Sequence, residues 1–447
     1  MTPTTALSDT AGRSGLQAPN AGRVLTLLAA VNTINFYDRA LPAILIEPVK
    51  DEFGLSDTQV GVVSASFIVV YAVAGIWLGR LADTHRRQVI MGVGLIIWSL
   101  FTALSAGVWS FTSLLLVRFG VGIGESAYGP AANSLIADLY PAAKRSRAVA
   151  VLQFGIPLGT ILAFVTTGAI MDAFGTWRAP FLVAAIPGLI LALFLLRIRE
   201  PERGAADTAE MAAAEQSADD DPRSAWRRVL SVPTMRWLVL SGVGVQVAAY
   251  GLTTFVVPLL QRYYDLELTT AALYSGIIVG AAALLGLVVG GIVSDRMSRR
   301  SASGRILVGA VSLLISVPLA YAGFTLRPDQ LALFVVLLSA VSFLQYFFHT
   351  SALPAVADVN PARLRASAVA IFFAAFYLLG GALGPVLTGM LSDALEASGH
   401  GVNADAYGLH RALLFVLPAA LLIAALGLFG AARTVDRDRA RISARAE

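Results

Sequence analysis

With 447 residues, 57% of them hydrophobic and only 14% charged, and a mean hydropathy of +0.72, this chain carries more apolar surface than water tolerates. That excludes a soluble or disordered chain and leaves a membrane protein. The lack of cysteine excludes disulfides and thiolate metal sites, and the net charge of +4 decides less than the placement of the charges.

The first 23 residues are polar and have no charged start, short apolar core and small-residue cleavage site of a secretory signal, so they read as a tail and the first helix as retained. Apolar runs near the length of about 20 residues that crosses a bilayer follow at 24–48, 57–80, 87–107, 109–135, 146–172 and 179–197. Six more come at 235–261, 269–294, 304–323, 329–355, 365–392 and 409–432. Helices are numbered one to twelve in this order.

Helix one contains Asn32-Thr33-Ile34-Asn35-Phe36-Tyr37-Asp38-Arg39. An acid or a base at mid-membrane costs about 2.5 to 3.5 kcal/mol, so such groups face a wet cavity and find partners. Asn32, Asn35 and Arg39 fall on one stripe, while Asp38 points about 100 degrees from Arg39, so sequence neighbours are not partners. Pro42 removes the helical donor to the Asp38 carbonyl and predicts a kink beside both charges.

Helix four supplies counter-charges: Arg118, Gly122, Glu125 and Gly129 share a stripe, with Gly120 and Gly124 near the opposite face to permit close packing. Glu125 has the sign and reach to meet Arg39, Tyr128 follows one turn on, and Arg118 reads as a structural ion-pair member bracing helix four. No strand precedes "GVGIGES", which argues against a nucleotide site. Glycine and proline punctuate helix five (Gly155, Pro157, Gly159) and helix eleven (Gly380, Gly381, Gly384, Pro385, Gly389), predicting close contact and bending where the halves meet.

Residues 201–233 form a polar linker whose Asp219, Asp220 and Asp221 read as solvated charge rather than a metal site. The spans of the second half carry no acid or base in their middles apart from His349. Their polar and aromatic residues are Gln246 and Tyr250 in helix seven, Tyr346 and His349 in helix ten, and Phe376 and Tyr377 in helix eleven, a wall suited to a ligand with an apolar tail.

Two motifs repeat at a fixed offset within each: Gly79, Asp83 and Arg87 as Gly291, Asp295 and Arg299, and Asp138, Pro141, Arg145 and Ala148 as Asp358, Pro361, Arg365 and Ala368. A repeat on the same side of the membrane makes the halves parallel. The fold expected is an all-α membrane protein of twelve transmembrane helices in two six-helix bundles, 24–200 and 234–433, with tails 1–23 and 434–447. If the first tail is cytoplasmic, the other side holds only Lys50, Arg178, Arg262, Arg327 and Arg411, with Arg39 and Arg118 in the membrane. The positive-inside rule then puts both termini in the cytoplasm and the chain in a cell membrane, as in a prokaryotic inner membrane.

This arrangement resembles the major facilitator superfamily, through the twelve spans, the central linker and the loop signature Gly79, Leu81, Ala82, Asp83 and Arg87. Thr84 and Arg86 depart from the usual pattern, and the second copy lacks the Leu-Ala pair. The resemblance implies that Gly79, Asp83 and Arg87, with Asp295 and Arg299, form a cytoplasmic gate latching the halves together. The helix-eleven glycines and proline also resemble a signature of exchangers in that superfamily. Within it, "NFYDR", "RFGVGIGES" and "DLYPAAKRSRA" look most like the Spinster group, which is associated with lysophospholipids and sphingosine-1-phosphate. A related organic-anion and sugar-acid symporter group shares the N-x-x-D-R segment.

The function expected is proton-coupled transport of an amphipathic anionic lipid by alternating access. Arg39 would bind the head group, with Asn32, Asn35, Glu125, Tyr128, Gln246, Tyr250, Tyr346, His349, Phe376 and Tyr377 around the ligand. Asp38 and Glu125 would carry protons. A carboxylate that loses a positive neighbour holds a proton more tightly, so a phosphate that takes Arg39 from Glu125 supplies the coupling. The rivals are a sugar-acid symporter, a multidrug:proton antiporter, and an uncoupled scramblase or receptor. No Ser-His-Asp set or phosphate-cradling loop suggests an enzyme, and no cofactor, metal or nucleic acid is expected. The partners are protons, the lipid-like substrate and membrane lipids, about a monomer.

Overall fold

The computed structural model describes residues 21–201, 222–361, 364–398 and 403–443, without the side chains at 83, 142, 143, 146, 222–225, 302, 366, 442 and 443. The linker acids Asp219, Asp220 and Asp221 and the side chain of the expected gate acid Asp83 therefore lie outside the described residues.

The first half contains helix one (Ala21–Ile44), helix two (Asp57–Thr84), helix three (Arg87–Leu104), helix four (Phe111–Ser126 and Tyr128–Leu139), helix five (Ala142–Phe174) and helix six (Ala179–Leu196). After a short helix at Pro222–Ser231 come helix seven (Pro233–Arg262), helix eight (Leu268–Ser275 and Ala282–Ser298), helix nine (Ala302–Phe324), helix ten (Leu331–Gln345 and Phe347–Asp358), helix eleven (Arg365–Ala374 and Ala382–Ser398) and helix twelve (Ala404–Ser443). Ten of these stretches are long and apolar enough to cross a membrane by themselves. Helix one, with its polar octapeptide, and helix four, interrupted at Ala127, complete the set.

Local chemistry sets the boundaries. Ser56 and Gln59 form a capping box at the start of helix two, and Ser110 with Ser113 does the same for helix four. Helix five ends at Gly175, whose φ of 67° is left-handed. Three features depart from the hydropathy reading. Helix one runs through Pro42 and breaks at Leu45, after which Ile46–Phe53 forms a separate helix. Helices four and ten are each interrupted just after a polar residue, Glu125 and Gln345, at corresponding places in the repeat. Helix twelve continues well into the expected tail, because Asp438 accepts hydrogen bonds from Thr234 N (3.0 Å) and Oγ1 (2.7 Å) and so fastens it to the start of helix seven.

The packing shows which end is closed. One continuous apolar core joins Leu41, Ile44, Val60 and Phe164 of the first half to Phe255, Leu259 and Ala271 of the second. Toward the termini the first half has a separate core around Leu28, Trp98 and Leu135. Helix eleven meets the first half as expected at Pro385, whose carbonyl lies against Gly61 of helix two, at Gly381, which faces Ile68, and at Gly389, against the backbone of Asp57, whereas Gly380 and Gly384 face helix seven of their own half. Gly155 and Gly159 of helix five do not meet the other half. Any side chain at Gly155 or Gly159 would run into the backbone of Ala29 or Thr33 in helix one, so they serve packing inside the first half.

Outside the spans, Glu52 accepts from Trp177 Nε1 (2.7 Å) and Arg178 (2.5 and 2.8 Å). The Arg178 guanidinium, then Trp177, lowers its carboxyl to about 2. A lowered acid stabilises the fold above its unfolded value and loses that contribution as pH falls through the folded one. Wild type should therefore melt slightly above Glu52→Gln at pH 5, and the difference should shrink as pH falls toward 2. The effect stays small because the pair is partly exposed.

Candidate transport site between the halves

Helix one turns Arg39 toward helices two, four and seven. Its Nε donates to Glu125 Oε2 at 2.6 Å, with the Glu125 side chain 0% exposed and that of Arg39 18% exposed. The guanidinium lies 4.4 Å from the Tyr71 ring centre, 4.9 Å from Phe36 and 5.4 Å from Phe67, so aromatic faces take up part of a charge with a single ion-pair partner. Tyr250, from the other half, lies within the electrostatic reach of Arg39. Tyr377 lies within reach of Arg39, Tyr71, Tyr250 and Tyr346, so tyrosines from helices two, seven and eleven gather about one guanidinium, with Tyr346 of helix ten beside them.

The other charges sit deeper in the first half. Asp38 is buried against helix three, where Thr102 Oγ1 donates weakly to Oδ2 at 3.4 Å, and its Oδ1 has no hydrogen bond among the described residues. Asp38 and Arg39 thus have partners on different helices, Thr102 on helix three and Glu125 on helix four. Arg118 donates to Ser105 Oγ at 3.2 Å and lies within the fields of both Glu125 and Asp38. The ion pair expected of it is not formed within 4 Å among the described residues, so its described tie is to Ser105 at the end of helix three. Asn35 lies beside Glu125, and Asn35 Nδ2, Glu125 Oε1 and Arg118 Nε are buried without hydrogen bonds among the described residues. Buried polar atoms left unpaired in this way call for an explanation such as water or a functional role.

Several of the expected ligand contacts have other partners in this structure. Asn32 is buried and its Nδ2 donates to the Leu152 carbonyl of helix five at 2.8 Å. Tyr128 is buried edge-on to Trp98, and its hydroxyl donates to the Leu28 carbonyl at 2.5 Å. Both are ties between helices. In Tyr128→Phe the loss of that bond should cost about 1 kcal/mol, lowering the melting temperature while leaving transport intact. Gln246 is buried against Gly380, and Phe376 is buried in a stack with Phe348 and Phe372, so these two are packing residues of helices seven, ten and eleven. Tyr250, Tyr346, His349 and Tyr377 keep exposed surface. The His349 ring lies 5.1 Å from Tyr346.

The expected gate is arranged differently too. Arg87 is buried and pairs with Asp138 at 2.5 Å and Glu200 at 2.6 Å, and donates to Ser134 Oγ at 2.8 Å. All of these belong to the first half, so Arg87 ties helix three to helix four and to the chain after helix six rather than to the second half. Gly79 lies against Pro130 of helix four. Asp295 and Arg299 are exposed, with no ion pair among the described residues.

The cross-half latch found here is at the opposite end, and sequence reasoning missed it. Arg262 at the end of helix seven donates to Glu47 (2.5 and 2.9 Å) and Asp57 (2.8 and 2.9 Å). Asp57 also accepts from Lys50 at 2.9 Å and Ser392 at 2.6 Å. Asp393 of helix eleven accepts from the backbone N–H of Asp57 and Thr58, both at 2.9 Å, and so caps helix two from the other half. A signal was available in the sequence: Lys50 and Arg262 are two of the few bases on that side.

A closed end, a charged first half and a tyrosine-lined second half have counterparts among known proteins. The family model described as Major Facilitator Superfamily matches residues 28–385. The chain belongs to the major facilitator superfamily. It is 30% identical to an "MFS-type efflux pump" of Mycolicibacterium smegmatis, over 96% of each chain. It is 28% identical to "Protein spinster homolog 1" of Rattus norvegicus, over 96% of this chain and 84% of that one. Among solved structures, a bacterial homologue of the human lysosomal transporter Spinster, in an inward-facing and unoccupied conformation, superposes with a TM-score of 0.85 at 28% identity, covering 94% of this chain and 98% of that one. This superfamily member is therefore a transporter of Spinster type rather than an enzyme.

Proposed function

We propose that this transporter moves an amphipathic anionic lipid, of the lysophospholipid or sphingoid-phosphate kind, across a cell membrane by alternating access coupled to protons, with both termini cytoplasmic. The observation that carries the reading is the Arg39–Glu125 pair at 2.6 Å, ringed by tyrosines of both halves. A phosphate reaching Arg39 displaces the Glu125 carboxylate, which then takes up a proton in its buried site. Asp38, across Arg118, is the second proton carrier. The half-exposed aromatic side chains of Tyr250, Tyr346 and Tyr377 offer the apolar tail a surface without charge. The excess of bases at the end holding the termini supports the cytoplasmic assignment.

The likeness to an efflux pump favours one second reading, a drug:proton antiporter. A thermal-shift panel on the purified protein separates the two. Lysophospholipids and sphingoid phosphates at about 100 times Kd should stabilise wild type by about 2.7 kcal/mol and leave Arg39→Ala unmoved. Stabilisation by cationic drugs, with none by the phospholipids, would replace the lipid reading with the efflux one.

A further inference from the structure

Away from the site, a groove of about 630 Å³ opens between the terminal ends of helices one and six. Its floor on helix one is made of small residues one turn apart, Thr26 and Ala30, and its opposite wall is Leu191, Phe194 and Ile198. Among the described residues, the charged ones lining it are Arg23 and Arg197. Both are exposed, and neither has an ion pair among the described residues. The surface beside it is lipid-facing in character: Ile186, Ile190, Leu193 and Phe194 along helix six are all about half exposed.

These features select the occupant. Two guanidinium groups at one mouth call for an anion, and planar paired donors suit a phosphate. The remaining lining offers no charge and little hydrogen-bonding capacity, so the rest of the ligand is hydrocarbon. The groove opens onto the face of helix six that contacts the bilayer, so the ligand arrives from the membrane rather than from water. We infer that this groove is a binding site for a bilayer phospholipid with an anionic head group, its phosphate on Arg23 and Arg197 and one acyl chain between helices one and six. It is distinct from the transport site, because Arg39 and Glu125 take no part in lining it.

Native mass spectrometry of the full chain, released from detergent with equimolar phosphatidylglycerol and phosphatidylcholine, tests the inference. Wild type should retain phosphatidylglycerol selectively. Basic side chains near a membrane surface contribute about fivefold each, so Arg23→Ala with Arg197→Ala should weaken that retention by about 25-fold. Arg23→Lys with Arg197→Lys should keep most of it. A control pair of exposed arginines at the same end of the other half, Arg236→Ala with Arg433→Ala, should change it little. Thr26→Trp, which fills the floor and leaves both charges, should also reduce retention. Equal retention of the two lipids by wild type, or equal losses from the control pair and the groove pair, would overturn the site.

Discussion

Replacing Arg262 by methionine is expected to release the two halves at the end away from the termini. All the paired donors of this guanidinium are spent on Glu47 and Asp57 across the interface, and its side chain is only 5% exposed. Without it, Glu47, Asp57 and Asp393 converge with Lys50 as the remaining base. Breaking a buried pair from one side costs about 3 to 5 kcal/mol, here charged to the closed arrangement, which is about two to three and a half decades in its population. The chain has no cysteine, so Asp51→Cys with Glu267→Cys gives a clean spin-label pair across the latch. The short-distance population should dominate in the Arg262 background and collapse in Arg262→Met, and adding Asp57→Asn should restore part of it. A distance distribution that is unchanged by the substitution would mean that apolar packing alone holds this end.

Glu125→Gln is expected to act in the opposite sense on binding and on stability. Arg39 and Arg118 would lose the acid they share, leaving Asp38 as the nearest carboxylate. The cost is again about 3 to 5 kcal/mol in the unloaded protein. An anionic ligand removes that cost by pairing with Arg39, so the variant should melt lower without ligand and bind lysophospholipid more tightly than wild type. Weaker binding would show that Glu125 itself touches the ligand as an acceptor.

The twelve crossings were legible because uninterrupted apolar runs of membrane length have few alternatives. The breaks at Ala127 and Tyr346 were not read, since both pieces of each helix are apolar; Gly129-Pro130 just after the first break was an available signal, whereas no glycine or proline stands next to Tyr346. The Arg39–Glu125 pairing could be read from sign and helical register. Asn32 and Tyr128 could not be assigned the same way, because a polar group on a membrane helix satisfies itself equally well on a neighbouring backbone carbonyl. The latch went unread because Glu47, Lys50 and Asp57 lie in and around a short helix that looks like loop charge until Arg262 is brought to them by the tertiary fold. Arg87 carries the opposite lesson. The loop signature located an important arginine, but its partners Asp138 and Glu200 come from parts of the chain that the motif does not include.

Coupling by partner exchange at Arg39 is tested most directly by counting protons during binding. Calorimetric titration of lysophospholipid into wild type, in buffers of different ionisation enthalpy, should show net proton uptake with each ligand bound near neutral pH. Glu125→Gln should bind with that uptake removed or sharply reduced. Binding to wild type without proton uptake, or the same uptake in Glu125→Gln, would contradict the exchange.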